Sequence, residues 1–147
     1  MKHWLDQKGK EQGYRSIYNG PGGGNEFILD FVWWDDKNGK SPLGCEMEWG
    51  NTRDPKHNVG RVAEDFDKLL SFKSEVKLML FDSYGNIETR TNVVSELNSY
   101  LQERGDHIEG DFYLLIDVSG NNNSVWKCSI ERDGLDKSLS FKQSIDS

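Results

Sequence analysis

Three carboxylates, Asp30, Glu46 and Glu48, sit inside two short apolar runs, Phe27 to Trp34 and Leu43 to Trp49. A carboxylate buried without a partner is costly, so in an interior it takes up a proton, pairs with a cation or ligates a metal. Side chains on a strand alternate faces, which puts Glu46 and Glu48 on one face and Met47 on the other. The residues between the runs, Asp35-Asp36-Lys37-Asn38-Gly39-Lys40-Ser41-Pro42, are dense in turn formers, so a hairpin is expected, with Asp30 opposite the two-glutamate ledge. A hard dication such as Mg²⁺ or Mn²⁺ takes oxygen ligands and keeps several waters, so these acids plus a substrate phosphate would make a sufficient site. The plainer reading is a half-exposed antiparallel sheet whose acids face water. It suits Glu46 and Glu48 better than Asp30, which interrupts a nearly continuous apolar stretch.

The elements that must position these residues follow from periodicity. Lys2 to Gln12 has a helical composition with few apolar positions, and Tyr14 to Tyr18 reads as a short strand. The loop Gly20-Pro21-Gly22-Gly23-Gly24-Asn25 lacks the Lys-Ser/Thr pair of a phosphate-binding loop and reads as a turn. After the second run, Asn58 is placed to cap a helix in which Val59, Val62, Ala63, Phe66, Leu69 and Leu70 recur at helical spacing. Arg61, Asp65 and Lys68 line its polar face. Val76 to Phe81 is a buried strand, Asn92 to Gln102 a second amphipathic helix, and Phe112 to Val118 with Val125 to Ile130 a hairpin about Asn121-Asn122-Asn123. Leu135 to Ser147 is left as a final edge strand or a frayed end.

This order, helix, three strands, helix, strand, followed by a helix and a hairpin, resembles the restriction-endonuclease-like, or PD-(D/E)XK, nuclease fold. The resemblance covers roughly residues 2 to 82 and implies an α/β (α+β) protein with a central mixed sheet flanked by helices. It also implies that an Asp on the second core strand and a Glu on the third, here Asp30 and Glu46, bind Mg²⁺. The family's usual Lys two residues after that Glu is replaced here by Glu48. Some members use a lysine from the following helix instead, which nominates Lys68, although Asp65 or Glu64 at helical spacing could simply pair with it. Glu11 loosely matches an acidic position that completes the metal site in some members.

The chemistry implied by the resemblance is metal-dependent hydrolysis of phosphodiester bonds in DNA or RNA. Asp30, Glu46 and Glu48 would hold the ions, with Lys68 orienting water or neutralising phosphate. Arg53, Lys56, His57 and Arg61 flank the site and could contact a nucleic-acid backbone. A second reading is a non-catalytic binding protein of the same fold, such as an immunity or antitoxin protein that occupies the basic groove of a nuclease toxin. The net charge of −7 and the missing lysine suit it. Glycosidic hydrolysis fits less well, since Glu46 and Glu48 share one face of one strand.

Composition sets the bounds. A chain of 147 residues has the size of one domain, with a core at about 2–82, a helix and hairpin at 86–132 and a tail at 133–147. Residues 83–147 carry eleven acids against six bases, which argues against a protein that coats nucleic acid by charge alone. No apolar run spans a membrane and Met1 to Asp6 lacks a secretory core, so a cytoplasmic location is expected. Cys45 and Cys128 are expected as free strand residues, and His3, His57 and His107 as surface residues. Trp49 and one of Trp33 and Trp34 are expected in the core. Endonucleases that cut both strands commonly work as dimers, and the C-terminal hairpin and tail would suit such an interface.

Overall fold

Apolar alternation along the strands decides the architecture of the computed structural model, which describes residues 1–20, 28–50, 55–104, 110–119, 124–129 and 140–144. The described elements are α1 (Lys2–Glu11), β1 (Arg15–Tyr18), β2 (Phe31–Asp35), β3 (Lys40–Glu48), α2 (Pro55–Ser71) and β4 (Val76–Phe81). They continue with α3 (Ile87–Glu103), β5 (Phe112–Asp117), β6 (Ser124–Ser129) and β7 (Lys142–Gln143). One mixed sheet of seven strands runs in chain order. β1, β2 and β3 form an antiparallel meander, β3, β4 and β5 are parallel, and β6 and β7 add antiparallel at the far side. Neighbouring parallel strands require a helical crossover, and α2 and α3 supply the two.

Both crossovers pack on one face. There Val62, Ala63, Phe66 and Leu69 of α2 and Val93, Leu97 and Leu101 of α3 meet Val32, Met79, Phe81, Tyr113 and Leu115. α1 covers part of the other face, where Leu5 joins Tyr18, Phe31, Leu43, Cys45, Met47, Leu78 and Leu80. β4 is therefore buried on both sides, which is why its sequence is apolar on both faces apart from Lys77, whose buried ammonium pairs with Asp111 at 3.2 Å. Trp33 fastens α1 to the sheet: its indole N–H donates to Leu5 O at 2.9 Å. The ring lies so close to Gly9 that a Cβ there would stand 2.5 Å from its nitrogen.

Several sequence expectations shift. The hairpin between β2 and β3 forms, but Lys40, Ser41 and Pro42 belong to β3, not to the turn. Pro42 is tolerated because β2 and β3 change register between Trp33 and Asp35 and because β4 pairing starts only at Leu43. α2 starts at Pro55, so Asn58 is not its cap but a buried residue of its first turn, packed against Gly50. Proline suits a first helical turn, where its missing N–H costs nothing. α3 starts at Ile87, earlier than Asn92, because Asn86 caps it by accepting from Thr89 N–H at 3.0 Å. Asp30 precedes β2 instead of lying within it. Trp49 is 43% exposed instead of buried, because β3 ends at Glu48 and Gly50 turns the chain at a φ of +57°. Trp33 and Trp34 are both half-buried. Cys45 and Cys128 are buried thiols outside any disulfide, and His3 and His57 are exposed. Within the tail β7 is a two-residue edge strand, while residues 133–139 and 145–147, His107, the Gly20–Asn25 loop beyond Gly20 and the 121–123 turn lie outside the described residues. No helix among the described residues is long and apolar enough to cross a membrane.

Candidate carboxylate site

Alternation along β3 sends Leu43, Cys45 and Met47 toward α1 and leaves Gly44, Glu46 and Glu48 on the face under α2. Glu46 and Glu48 are therefore interior groups, 3% and 7% exposed. They resolve that burial differently. Glu48 pairs with Arg61 of α2 at 2.9 Å and accepts the Gly50 N–H at 2.7 Å, so both its oxygens are engaged. Glu46 has one oxygen, Oε1, buried with no hydrogen-bond partner among the described residues.

Asp30 supplies the other half of the site. One of its oxygens accepts the Met47 N–H at 3.0 Å, so the side chain continues the ladder where β2 has not yet begun. Its second oxygen meets Lys2 Nζ of α1 at 3.2 Å. Asp30 and Glu46 stand next to each other across the β2–β3 hairpin and act on each other, Asp30 favouring a protonated Glu46 and that proton favouring an ionised Asp30. Burial, reinforced by the Asp30 charge, pushes the Glu46 carboxyl up to about 9, so the proton resides there at neutral pH. Burial would also raise Asp30, but the hydrogen bonds from Glu46, the Met47 N–H and Lys2 outweigh it and hold Asp30 below its ordinary value.

The polar row of α2 lies over Glu46. Lys68 Nζ and Asp65 Oδ1 are 2.6 Å apart, and the hydrogen bond to Asp65 raises the Lys68 ammonium above its ordinary value. Both residues act electrostatically on Glu46, Asp65 favouring its protonated form and Lys68 its anion. Lys68 thus combines the two sequence readings: it is paired within its helix, and it stands in the field of the strand-three glutamate.

Other candidates are not gathered in. Glu11 is at the far end of α1 from Lys2, about 13 Å along the helix, and is held by Lys8 at 2.7 Å. Arg53 and the side chain of Lys56 lie outside the described residues, and Arg61 is the flanking cation whose position is seen. Three converging ligands are not found: among the described residues no group of three or more His, Cys, Asp or Glu side chains is arranged to hold an ion. The pair formed by Asp30 and Glu46 still fits a hard dication, since Mg²⁺ commonly binds through one or two carboxylates plus water and substrate phosphate. The orphaned Glu46 oxygen is the atom that such an ion would satisfy.

Lys2 and Asp65 are the contributors that sequence reasoning did not assign to the site. Nothing in a weakly apolar helix indicates that Lys2 reaches across to Asp30. Asp65 was legible as the neighbour of Lys68 on one helical row, but only the packing of α2 on β3 brings it to Glu46.

The chain matches no protein-family model, and no curated protein or solved structure matches it. Fold and site define a mixed α/β protein with a buried glutamate, Glu46, beside a half-buried aspartate, Asp30, at the junction of its antiparallel and parallel strands.

Proposed function

We propose that the chain is a metal-dependent phosphodiester hydrolase acting on nucleic acid, built on a restriction-endonuclease-like core. The carrying observation is that Asp30 and Glu46 meet across the β2–β3 hairpin with a Glu46 oxygen buried and unpartnered among the described residues. A buried Glu46 carboxyl beside Asp30 has no evident value for folding, because a well-packed apolar residue would serve at lower cost. The element order around it, with Asp30 entering the second strand and Glu46 on the third, supports the nuclease reading.

In this reading Asp30 and Glu46 hold Mg²⁺ or Mn²⁺, and a bound dication supplies charge for the phosphoryl oxygens and acidifies a water. Glu46 releases its proton when the site is loaded. Lys68, kept in place by Asp65, offers positive charge beside Glu46 where negative charge develops. Glu48 is a positioning residue: it holds Arg61, 46% of whose side chain is exposed, toward a backbone phosphate. Lys2 neutralises Asp30 from the opposite side of the sheet.

The test is cleavage of single-stranded and duplex DNA and RNA with Mg²⁺ or Mn²⁺, with and without chelator. Cleavage that requires the dication and is lost in Glu46→Gln is expected. Absence of cleavage on every substrate, or cleavage unchanged by Glu46→Gln, would overturn the proposal. One observation favours the alternative, an acidic binding protein such as an immunity protein: Glu48 is engaged by Arg61 and no third acid joins the pair among the described residues.

A further inference from the structure

Two large aromatic side chains stand in water at the C-terminal ends of β3 and β4. Trp49 directly follows Glu48 and is 43% exposed, and Tyr84, just past β4, is 47% exposed. Tyr84 has a φ of +53°, the left-handed region, and Gly85 follows at +73°. The Asn86 N–H donates to Ser83 O at 3.0 Å, closing a tight turn with both central residues at positive φ. Such turns call for Asn, Asp or Gly, and a bulky residue in the left-handed region is strained. A tyrosine there strains its own backbone and adds nothing to the core, so its side chain is the reason for its presence.

That ring is held, not loose. The Tyr84 hydroxyl donates to Trp49 O at 2.6 Å, and the Tyr84 N–H donates to Asp82 Oδ1 at 2.7 Å. Ile87, 73% exposed, extends the apolar surface into the first turn of α3. Trp49 lies three strand residues beyond Glu46, about 10 Å, within reach of a neighbouring nucleotide if a phosphate sits at the carboxylate pair. Arg61 pairs with Glu48 at 2.9 Å and, with 46% of its side chain exposed, would be the cation that meets a phosphate in that reading. The described residues flanking the rings include two acids, Asp82 and Glu88, which favours contact through the uncharged face of a base over contact with backbone phosphate. Paired bases hide those faces inside a duplex; unpaired ones offer them.

We infer that Trp49 and Tyr84 form a stacking platform for unpaired bases of single-stranded nucleic acid, beside the carboxylate pair. This deepens the hydrolase proposal and rests on it for the location of the phosphate. Aromatic stacking is tolerant of base identity, so the platform would select strandedness more than sequence.

The test is fluorescence anisotropy with labelled single-stranded and duplex oligonucleotides, DNA and RNA, at fixed salt and in chelator so that nothing is cleaved. Trp49→Ala and Tyr84→Asn are expected to weaken single-strand binding by about 5- to 150-fold, the range for one stacked base. Duplex binding should hardly move. Tyr84→Phe keeps the ring and should keep the affinity. Asn suits the left-handed turn, so Tyr84→Asn should not lower the melting temperature, which separates lost stacking from lost fold. Unchanged single-strand affinity in both variants, equal losses on single strand and duplex, or a wild type that binds no single strand would each overturn the inference; the last would assign the rings to a protein contact. A Mn²⁺ titration of the same proteins keeps the two proposals apart. Ion binding should survive Trp49→Ala and Tyr84→Asn, and its absence in the wild type would remove the hydrolase reading without touching a ring-dependent affinity.

Discussion

Replacing Glu46 by glutamine should flatten the dependence of folding stability on pH between about pH 6 and about pH 8, in chelator. The Glu46 carboxyl is ordinary in the unfolded chain, 4.5, and pushed up to about 9 in the folded one. Across the interval between those values the folded state holds a proton that the unfolded state has released. The contribution is thus fully present below the unfolded value and is lost as pH rises toward 9. Asp30, whose value is lowered, has the opposite sign and loses its contribution only in acid, below its ordinary range, so it is constant here. One unit of offset corresponds to about 1.4 kcal/mol, so two pH units give between about 2 and about 3 kcal/mol of lost stability, the folded carboxyl being still mostly protonated at about pH 8. Urea unfolding at the two pH values reads this directly: with a slope of about 2 kcal/mol per molar, the wild-type midpoint should fall by about 1 M. The Glu46→Gln midpoint should stay nearly level, because the amide has nothing to release. A wild type as level as the variant would refute the claim that Glu46 is buried and protonated beside Asp30.

Other expectations follow from particular contacts. Gly9→Ala improves helix propensity by about 1 kcal/mol, yet its methyl group would collide with Trp33, and overpacking of about 1–3 kcal/mol should win. A raised melting temperature would show that α1 is not seated on Trp33 as described. Asp117 is fully buried and accepts from Ser83, Ser119 and Arg90, the last at 2.7 Å. Asp117→Asn turns an amide N–H toward the Arg90 guanidinium and leaves that charge unmatched, at a cost of about 3 kcal/mol in chemical unfolding. Loss below about 1 kcal/mol would contradict a buried, ionised Asp117. Lys68→Ala removes an ion pair with 42% of the lysine side chain exposed, so stability should change by no more than about 0.5 kcal/mol. Cleavage, where measured, should nevertheless fall by about 100-fold or more, and an unchanged rate would make Lys68 an ordinary surface lysine.

How far the sequence could be read depended on whether a feature was local. β4 was recovered end to end because a strand buried on both faces announces itself as a run of apolar residues, here Val76 and Leu78 to Phe81 with Lys77 as the one charge. The face shared by Glu46 and Glu48 was legible for a similar reason, since alternation is a property of the strand alone. The fate of the two glutamates was not, because Arg61 takes one and Asp30 the other, and both encounters depend on how α2 and the chain before β2 settle on the sheet. Asp30 looked like a strand residue within its apolar run; its carboxylate instead takes a backbone N–H in place of a strand partner. Trp49 looked like core because it continued an apolar strand, but Gly50 ends that strand and turns the indole outward. Lys2 was beyond reach, as only the docking of α1 through Gly9 and Trp33 gives it a direction.

The central claim, that Asp30 and Glu46 together hold a dication, is tested most directly by calorimetric titration of Mn²⁺ into the wild type, Asp30→Asn and Glu46→Gln at near-neutral pH in two buffers of different ionisation enthalpy. The wild type should bind and release about one proton per ion, since Glu46 must ionise to ligate, and both substitutions should abolish that binding. Binding absent in the wild type, or present and indifferent to both substitutions, would contradict the claim and leave an acidic binding protein as the better account.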